Sequence, residues 1–559
     1  MISKMHFAGE DKKVRKYLLP KAVIYKAGGV SGEDNLLVQK DVQISTDEPD
    51  SMEMKNTGDG THAVILLDFG VEFAGGIKIL TERCDGGLVT PDFRLTFGES
   101  ANEAMSNIGD KNATNDHSIR DMNIQLTLFS DMEFGQTGYR FARLELLSPN
   151  TSVRIKSVLG VFTYRDLEYK GSFCCSDDLL NRIYDVAAYT CHLNMQNNLW
   201  DGIKRDRLVW IGDMHPEMLT IRTVFGYDQC IEEGLDFAAR QTPLPDFANH
   251  MITYSMWWLL ITWDWYLHNG KTNFIMEHRE YIEKLLEQFT ELVLEDGQDL
   301  LGEYPMGYFL DWPTSDLKEA RAGVRALFAM ALKAGAGLCD LFDNQKLEEK
   351  CIRKAELLGK NIPDEYGIKA SAAFMSLAGH LDPKQAADEV LLVNGAKDIS
   401  TFLSYYQLSA IANAGKMKEA LDILKEYYGG MLSVGATTFW EDFSVDWLKE
   451  GSRLDKISGE GEYDIHGDNG AYCYIGYRHS LCHGWSSGPT AFLAERVLGI
   501  QIAAPGCKKI RIRPDLGQLQ WAKGTYPTPY GVISVSHVKQ ADGSIQTEYD
   551  VPDGVTVID

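Results

Sequence analysis

The segment Asp201–Asp213, with the sequence DGIKRDRLVWIGD, carries the densest set of chemically capable side chains in this chain. Its 13 residues include three carboxylates, three cations and one tryptophan. Ionised groups are seldom buried unless they are paired, so such a segment is either a solvated loop or a functional pocket. Carboxylates beside arginines and an aromatic ring suit the binding and cleavage of a polar, neutral, ring-shaped substrate, which is the chemistry of a sugar.

Asp206 is the best candidate in this segment for a general acid. Hydrolysis of a glycosidic bond needs one carboxylic acid at the leaving oxygen and a second carboxylate on the opposite side of the ring. The acid must keep its proton near neutral pH, which burial or neighbouring negative charge allows. Arg205 and Arg207 flank Asp206, and Asp201 and Asp213 lie close in sequence. The alternative interpretation is a capped helix start with surface ion pairs of little energetic value.

The second carboxylate must come from a distant segment, and Glu441 is the candidate. It follows Trp440 in a stretch that comes after Gly429-Gly430 and a short apolar run. A Trp-Glu pair outside a regular helix is typical of a base beside a stacking platform. Taken alone, a single acidic residue on a surface loop would be the simpler interpretation.

The elements that must position these residues divide the chain into three parts. Residues 20–165 contain short alternating or β-branched runs separated by Gly, Asp and Asn, which predict a β-sandwich. The polar stretch 100–120 is expected to be a long surface loop. β signals return from about residue 500, with Asp542-Gly543 as a hairpin turn, and indicate a small C-terminal β domain.

Helical periodicity dominates between these two parts. Ser176-Asp177-Asp178-Leu179 is a plausible helix cap, and apolar residues then recur at spacings of three and four. Consecutive antiparallel helix pairs in this number fit a closed α/α toroid whose loops face one central pocket. The sequence therefore predicts three domains: 1–165, 166–499 and 500–559. The eleven predicted helical segments lie near 176–197, 216–240, 251–268, 274–296, 316–343, 346–360, 367–380, 384–394, 400–413, 416–428 and 486–499.

The order of these motifs resembles glycoside hydrolase family 78, the α-L-rhamnosidases, over nearly the whole chain. The family pattern of Asp, a short loop, Arg, an acidic residue and Trp-x-Gly-Asp is similar to the segment that ends at Asp213, and a later Trp-Glu is matched by Trp440-Glu441. Further matches are the Asp-Trp pocket loop, a His-containing loop before the last barrel helix, and the flanking β regions. These segments are Phe309-Leu-Asp311-Trp312, Ser480-Leu-Cys-His483-Gly-Trp485, and Leu67-Asp68-Phe69-Gly70 with Phe97-Gly98-Glu99.

The resemblance implies an (α/α)6 toroid flanked by N-terminal and C-terminal β-sandwiches, and an inverting glycosidase of the EC 3.2.1 class, typical of bacterial carbohydrate metabolism. Asp206 would protonate the leaving oxygen and Glu441 would activate a water, with the carboxyls roughly 6.5–9.5 Å apart. One difference is clear, because family members usually carry Glu as the acid and aspartate is one methylene shorter. The expected substrate-binding residues are Asp201, Arg205, Trp210, Asp213, Asp311, Trp312, Trp440, His483 and Trp485.

Rival motifs carry less weight. Gly484-x-Ser486-x-Gly488 matches a serine-hydrolase elbow, but no buried strand precedes it. The segment that begins at Asp464 has the start of a calcium loop, yet Ile475 stands where the loop requires Glu. No metal and no cofactor are therefore expected. Two alternatives to hydrolysis stay open: a carbohydrate-binding protein on a weakened hydrolase scaffold, which Asp206 favours, and a polysaccharide lyase with an α/α toroid.

Charge and composition limit the partners. The chain has 559 residues, a formal net charge of −25 and 44% apolar residues, which argues against nucleic acid or an anionic membrane as a partner. The sequence contains no run of eighteen apolar residues, so it predicts no membrane-spanning helix. We expect a carbohydrate substrate, and the sequence is compatible with a homo-oligomer. The first residues lack an apolar leader, which predicts a cytoplasmic protein, or a periplasmic or secreted one if a leader has been removed.

Overall fold

A computed structural model of the chain describes residues 11–46, 49–87, 90–315, 317–363, 366–459 and 461–559. The segment in which we expect no leader, residues 1–10, lies outside the described residues. The chain is multidomain, with a sheet region first, a helical region next and smaller sheets at the end. This order agrees with the order of the β and helical signals along the sequence.

The first region is a nine-stranded antiparallel sheet. Its central path is β3-β4-β9-β5-β8-β6-β7, while β1 pairs with β9 and β2 pairs with β5. Apolar residues on β5, β6, β8 and β9 build a separate hydrophobic core for this region. The strands are β1 (Val14–Leu18), β2 (Ala22–Ala27), β3 (Gly29–Ser31), β4 (Met52–Asn56), β5 (Ala63–Asp85), β6 (Asp92–Gly98), β7 (Asp121–Gln125), β8 (Ser130–Leu146) and β9 (Thr151–Tyr164).

Strand β5 is one long element where the apolar runs at 64–70 and 76–80, separated by glycines, predict two strands. The pairing of β5 with β8 shifts between Asp68 and Phe73, so the strand bends without ending. Gly75 lies inside this strand with a φ of 151°, and a Cβ there would come within 1.8 Å of the Val161 carbonyl oxygen. The glycine that reads as a strand breaker in the sequence instead allows close approach of β9.

The polar stretch 100–120 is only partly the surface loop that the sequence predicts. Its first residues form a short helix, α1 (Ala101–Met105), in which Ala101, Glu103 and Ala104 are buried. Ser100 caps this helix by accepting a hydrogen bond from the Glu103 backbone N–H at 3.1 Å. The expectation of a solvated loop is therefore wrong for residues 100–106, which lie between the sheet and the helical region.

The helical region follows the predicted segments, except that some segments are divided into two helices and some bounds are shifted. The segment predicted near 216–240 is two helices separated at Gly226, and α3 begins at Ile211. Asp213 therefore stands in the first turn of a helix. The helices are α2 (Asp178–Asn194), α3 (Ile211–Val224), α4 (Cys230–Gln241), α5 (Ile252–Asn269), α6 (Asn273–Glu277), α7 (Arg279–Glu291), α8 (Ala320–Leu341), α9 (Gln345–Lys360), α10 (Lys369–Ala378), α11 (Pro383–Ala386), α12 (Ser404–Asn413), α13 (Met417–Ser433) and α14 (Gly488–Phe492).

Helix α8 lies in the core of this region, packed against α5, α9 and α10. By length and composition α8 could cross a membrane, but 83% of its most apolar 18-residue window is buried inside the protein. Such burial is typical of a core helix. Short alternations of helix and turn, with π-helical turns at Ala387–Leu391 and Leu493–Val497, complete the region.

The last part of the chain forms two small sheets. One has the order β10-β13-β14-β15 and the other β11-β12-β16. Strand β10 comes from before the helices, and its pairing with β13 joins Phe173 to Gly524. Gly543, with a φ of 85°, lies in the turn between β14 and β15, where the sequence predicts a hairpin. The strands are β10 (Ser172–Cys175), β11 (Ile500–Ile502), β12 (Lys509–Ile512), β13 (Trp521–Thr528), β14 (Gly531–Lys539), β15 (Ile545–Asp550) and β16 (Thr556–Val557).

Candidate active site

The Asp201 carboxylate fixes the loop that precedes α3. Its Oδ2 accepts the backbone N–H of Asp206 at 2.9 Å and its Oδ1 accepts that of Leu208 at 3.0 Å. The Asp201 N–H in turn donates to the Leu208 carbonyl oxygen. Burial, followed by the charge of Asp206, raises the pKa of Asp201 to about 7. The side chain therefore holds the shape of the loop that presents Asp206.

Arg205 joins the two carboxylates that the sequence singles out. Its Nη1 donates to Asp206 Oδ1 at 2.7 Å, and its Nη2 donates to the Glu441 Oε atoms at 3.0 and 2.9 Å. Its Nε donates to the Arg478 carbonyl oxygen at 2.6 Å. Because ~2.3 Å separates the terminal nitrogens of a planar guanidinium, these Asp206 and Glu441 oxygens lie within about 8 Å of each other.

Glu441 is held by its backbone as well as by Arg205. Its N–H donates to the Ser480 carbonyl oxygen at 2.9 Å, and the Ser480 N–H donates to Glu441 Oε2 at 3.1 Å. The Glu441 carbonyl oxygen accepts from Trp485 Nε1 at 2.9 Å and from Thr401 Oγ1 at 2.5 Å. Burial raises the pKa of Glu441, and Arg205 opposes that rise. These contacts hold the Glu441 carboxylate in place next to the positive charge of Arg205.

His483 stands among three carboxyl groups. Its Nε2 lies 3.7 Å from Asp201 Oδ2 and 3.8 Å from Glu441 Oε1, and its Nδ1 lies 3.7 Å from Asp213 Oδ1. Burial, with Arg205 nearby, holds the pKa of His483 well below its usual value. Burial also raises the pKa of Asp213 well above its usual range, and the charges of Asp201 and Glu441 add to this rise. A neutral imidazole and protonated carboxyls can both donate and accept hydrogen bonds, as recognition of sugar hydroxyls requires.

The N-terminal sheet region supplies one more residue to the site. His117 Nε2 lies 3.3 Å from Asp206 Oδ1, so Asp206 contacts both Arg205 and His117. The neighbouring Asp116 binds Arg478, with 2.8 Å between Asp116 Oδ2 and Nη2. Nothing in the sequence singles out His117, because it stands 89 residues before Asp206 in a polar stretch with no motif.

Two family models match this chain. Residues 168–389 match the bacterial α-L-rhamnosidase six-hairpin glycosidase domain, and residues 499–558 match the bacterial α-L-rhamnosidase C-terminal domain. The chain is glycoside hydrolase family 78 α-L-rhamnosidase-like.

Individual relatives agree with this result. An α-L-rhamnosidase of Alteromonas sp. (strain LOR) is 23% identical over 458 residues, which are 73% of this chain and 46% of the relative. One from Formosa agariphila is 25% identical over 166 residues, which are 29% of this chain and 17% of the relative. The chain thus spans less than half the length of the curated relatives that it matches.

Solved structures have the same fold. The family 78 rhamnosidase of Bacillus sp. GL1 superimposes with a TM-score of 0.72 at 19% identity, covering 94% of this chain and 55% of that one. The Klebsiella oxytoca rhamnosidase with rhamnose bound gives a TM-score of 0.66 at 19% identity, covering 86% of this chain and 96% of that one. At these identities the likeness concerns the fold.

The four tryptophans of the expected sugar-binding set have different surroundings. Trp440 is only 1% exposed and packs edge-on against Phe443 and His479. Trp485 is buried and stacks on Phe402 with ring centroids 5.0 Å apart. The geometry therefore gives no support to Trp440 as a wall of the pocket. It belongs to the core beneath Glu441.

Trp210 and Trp312 are the two that keep partly exposed rings. Trp210 contacts Tyr254 edge-on, and Trp312 lies against Phe309 and Tyr472. Arg207, which flanks Asp206 in sequence, turns away from it. Its guanidinium lies over the Trp200 ring at 4.7 Å and donates to the Gln136 carbonyl oxygen at 3.0 Å. Of the two flanking arginines, Arg205 is the one that binds the Asp206 side chain.

Asp311 borders a separate cavity of about 440 Å³ on the side of Asp442. Its carboxylate accepts the Trp312 N–H at 2.7 Å and the Ser400 hydroxyl. Burial raises the pKa of Asp311 to about 6 and that of Asp442 to about 7. Asp206 and Glu441 are not among the residues that line this cavity. The structure therefore does not bring Asp311 into contact with the Arg205-linked pair.

Glu217 is a second residue that the sequence analysis missed. It lies one turn after Asp213 on α3 and is buried, and its Oε1 has no hydrogen-bond partner among the residues that the structure describes. Burial, followed by the charges of Asp213 and Asp201, raises the pKa of Glu217 well above its usual range. A Cβ at Gly484 would come within 1.6 Å of this Oε1, so the Glu217 carboxyl fills the space under the His483 loop.

Proposed function

We propose that this protein is an inverting glycosidase that releases terminal α-L-rhamnose, or a related deoxysugar, from glycans or glycosides. The observation that carries the proposal is the Arg205 guanidinium, which binds Asp206 on one side and Glu441 on the other. The two carboxyls are therefore at most about 8 Å apart, and this limit overlaps the separation of roughly 6.5–9.5 Å that inverting enzymes use to hold a sugar ring and one water.

Asp206 is the general acid in this proposal and Glu441 is the general base. The Asp206 side chain is 21% exposed and the Glu441 side chain 6% exposed. The more exposed carboxyl can meet a leaving group that extends into solvent, while the more buried one can deprotonate an enclosed water. His117 and Arg205 both contact Asp206 Oδ1, so Oδ2 is the oxygen that would carry the proton to the leaving group.

The sugar is proposed to bind beside His483, Asp213 and Asp201, between the partly exposed rings of Trp210 and Trp312. Three donor nitrogens of Arg205 already have protein partners, which favours a positioning role over a direct contact with hydroxyls. Apolar ring faces suit the C6 methyl of a deoxysugar. Two similar structures contain rhamnose, those from Klebsiella oxytoca and Streptomyces avermitilis, and this supports the choice of sugar.

The fold that we propose in detail is an (α/α)6 toroid at 166–499 between β-sandwich domains at 1–165 and 500–559. The description of the matched helical domain as a six-hairpin glycosidase domain supports the toroid. Paired neighbours such as α8 with α9 and α12 with α13 support it as well. Such an array directs the loops that carry Asp206 and Glu441 toward one central pocket.

The direct test is turnover of an aryl α-L-rhamnoside, with proton NMR of the first-formed sugar. Release of β-L-rhamnose before mutarotation supports the inverting mechanism, and release of the α anomer would contradict it. Rhamnose binding without turnover would favour the carbohydrate-binding alternative that Asp206, in place of Glu, keeps open. An unsaturated product from a uronic-acid polymer would instead identify a lyase. An aryl β-D-glucoside is the matched control for the sugar.

A further inference from the structure

A buried ion cluster lies where the N-terminal sheet region meets the helical region. Lys204 Nζ is 2.8 Å from Glu99 Oε2 and 3.2 Å from Glu103 Oε1, and all three side chains are almost fully buried. The same ammonium donates to the carbonyl oxygens of Tyr477 at 2.8 Å and His479 at 2.7 Å. Glu99 follows β6 and Glu103 lies in α1, so both acids belong to the first region and the lysine to the second.

Each side of this cluster adjoins a residue that holds the proposed catalytic pair in place. Lys204 precedes Arg205, whose guanidinium binds Asp206 and Glu441. Glu99 Oε2 accepts the Leu481 N–H at 2.8 Å, and the adjacent Ser480 N–H donates to Glu441 Oε2 at 3.1 Å. Moving the cluster would therefore move the acid loop and the base at the same time.

Glu99, Glu103 and His466 form the one group of possible metal ligands found among the described residues, with donor atoms within 4.8 Å of one another. The Lys204 ammonium binds two of these three side chains directly. Burial alone would lower the pKa of Lys204, but the two carboxylates raise it above its usual value, so the ammonium stays charged. Lysine thus supplies a fixed internal cation at a place where a metal ion could otherwise bind.

We propose that the Glu99–Glu103–Lys204 cluster is a positioning device, through which the N-terminal sheet region sets the geometry of Asp206 and Glu441. This inference rests on the proposed hydrolase function for its kinetic test. Glu99, Glu103 and Lys204 are positioning residues, since no hydrogen bond or ion pair among the described residues joins any of them to the carboxyl group of Asp206 or Glu441. The sheet region is then a required part of the active site and not only a neighbouring domain.

The first test is Lys204→Met, which keeps most of the length of the side chain and removes its charge. We expect kcat to fall about 100-fold while KM changes less than about threefold, because misplacement of reacting groups by an ångström costs about this much in rate. Lys354→Met is the matched control. Lys354 is also buried, and its Nζ donates to the Val293 carbonyl oxygen at 2.5 Å and to Glu295 at 2.8 Å. An equal loss of kcat in both variants would overturn the proposal.

Chemical rescue separates positioning from folding. Lys204→Ala leaves a buried space beside two carboxylates, and added propylammonium should restore at least part of kcat, whereas propanol should not. Glu99→Gln keeps the side-chain shape but removes the charge that faces Lys204, and it should lower kcat more than Glu99→Asp does. Near-UV circular dichroism shows whether each variant is folded. Folded Lys204→Ala with no response to propylammonium, together with equal kcat for the two Glu99 variants, would contradict the proposal.

Hydrogen exchange tests the same device without any substrate. In Lys204→Met we expect faster amide exchange in peptides that cover 199–208 and 478–484, with unchanged exchange in α8 and α9. Lys354→Met should show the reverse. If the wild-type protein cleaves no rhamnoside, the proposed function fails, and this exchange pattern alone then decides whether the cluster positions the two loops. Unchanged exchange in both peptides would overturn the inference.

Discussion

The two sheet regions at the ends of the chain make different contacts with the helical region. The N-terminal sheet region reaches the candidate site, through His117 at Asp206 and through Glu99 at the Leu481 N–H. The C-terminal sheets contact the ends of helical segments, as where His268 Nε2 lies 3.1 Å from the Pro527 carbonyl oxygen and His537 Nε2 lies 3.1 Å from that of Leu498. None of the contacts described for the C-terminal sheets involves Asp206 or Glu441.

This difference indicates that two sheet regions of one protein can have different roles. A sheet that supplies charged side chains to a pocket affects rate, whereas a sheet that covers apolar helix ends affects stability. Each region should therefore be detected by a different measurement. Substitutions near the N-terminal contacts should change kcat, and substitutions in the C-terminal core should change the free energy of unfolding.

The largest effect is expected for Glu441→Gln, the reference against which the N-terminal contacts are compared. We expect kcat on an aryl α-L-rhamnoside to fall about 10³- to 10⁴-fold, because a neutral amide cannot accept the proton of the attacking water. Because the side chain at this position is buried and hydrogen-bonded by Ser480 and Arg205, we expect the variant, which keeps its shape, to stay folded. Rescue of turnover by azide, with a product of opposite anomeric configuration, would support the assignment. A loss below about tenfold would exclude Glu441 as the base.

For Asp206→Asn we expect kcat to fall about 10²- to 10³-fold on a rhamnoside with a poorly activated leaving group. The loss should shrink with a nitrophenyl leaving group, which needs no protonation. Asp206→Glu tests whether the shorter acid limits the rate, and an increase in kcat would show that it does. An equal loss for both leaving groups in Asp206→Asn would contradict the role of general acid.

A roughly tenfold fall in kcat is expected for His117→Ala, since the N-terminal region loses its direct contact with Asp206. His250→Ala is the control, because His250 pairs with Asp246 at 2.6 Å on the exposed surface of the helical region. Steady-state kinetics of both variants show whether kcat depends on His117. If the two behave alike, the N-terminal region does not act through His117.

Asp201 should give the site region a pH dependence of stability. Its folded pKa is about 7, whereas an unfolded aspartate titrates near ~3.9. Between these values the folded state holds a proton that the unfolded state has lost, so its contribution to the unfolding free energy is greatest at low pH and is lost as pH rises through about 7. Urea unfolding from about pH 4 to 7 should show wild type losing stability relative to Asp201→Asn. The opposite trend would refute the protonated form.

The smallest effect on rate is expected in the C-terminal core. Ile533 on β14 is fully buried, and Ile533→Ala should lower the unfolding free energy by about 2–4 kcal/mol through lost burial and a cavity. Its kcat per folded molecule should equal that of wild type. A fall in kcat similar to that of His117→Ala would remove the distinction between the two sheet regions.

The sequence could predict those parts of the site that lie within single segments. Asp201, Arg205, Asp206 and Asp213 stand close along the chain, and the loop fold between Asp201 and Leu208 brings them together. Helix positions followed from apolar spacing for a similar reason. Such periodicity is a local property, so it is readable without knowing the rest of the fold.

Contacts between distant segments could not be predicted in this way. Glu99 and Leu481 are 382 residues apart, and His117 has no neighbouring motif. Trp440 was expected at the pocket because it adjoins Glu441, yet successive side chains outside a helix can face opposite ways, and this one faces the core. The register shifts of β5 also depend on its partner strands and not on its own residues.

Strand β10 has a consequence for how the protein is made. Its partner β13 begins 349 residues after Ser172, at Trp521, and the ribosome synthesises β13 only after the whole helical region. Until then the edge of β10 has no native partner, and unpaired strand edges promote association between nascent chains. Premature termination before residue 521 should therefore yield insoluble fragments, even though every residue of the proposed pocket has by then been translated.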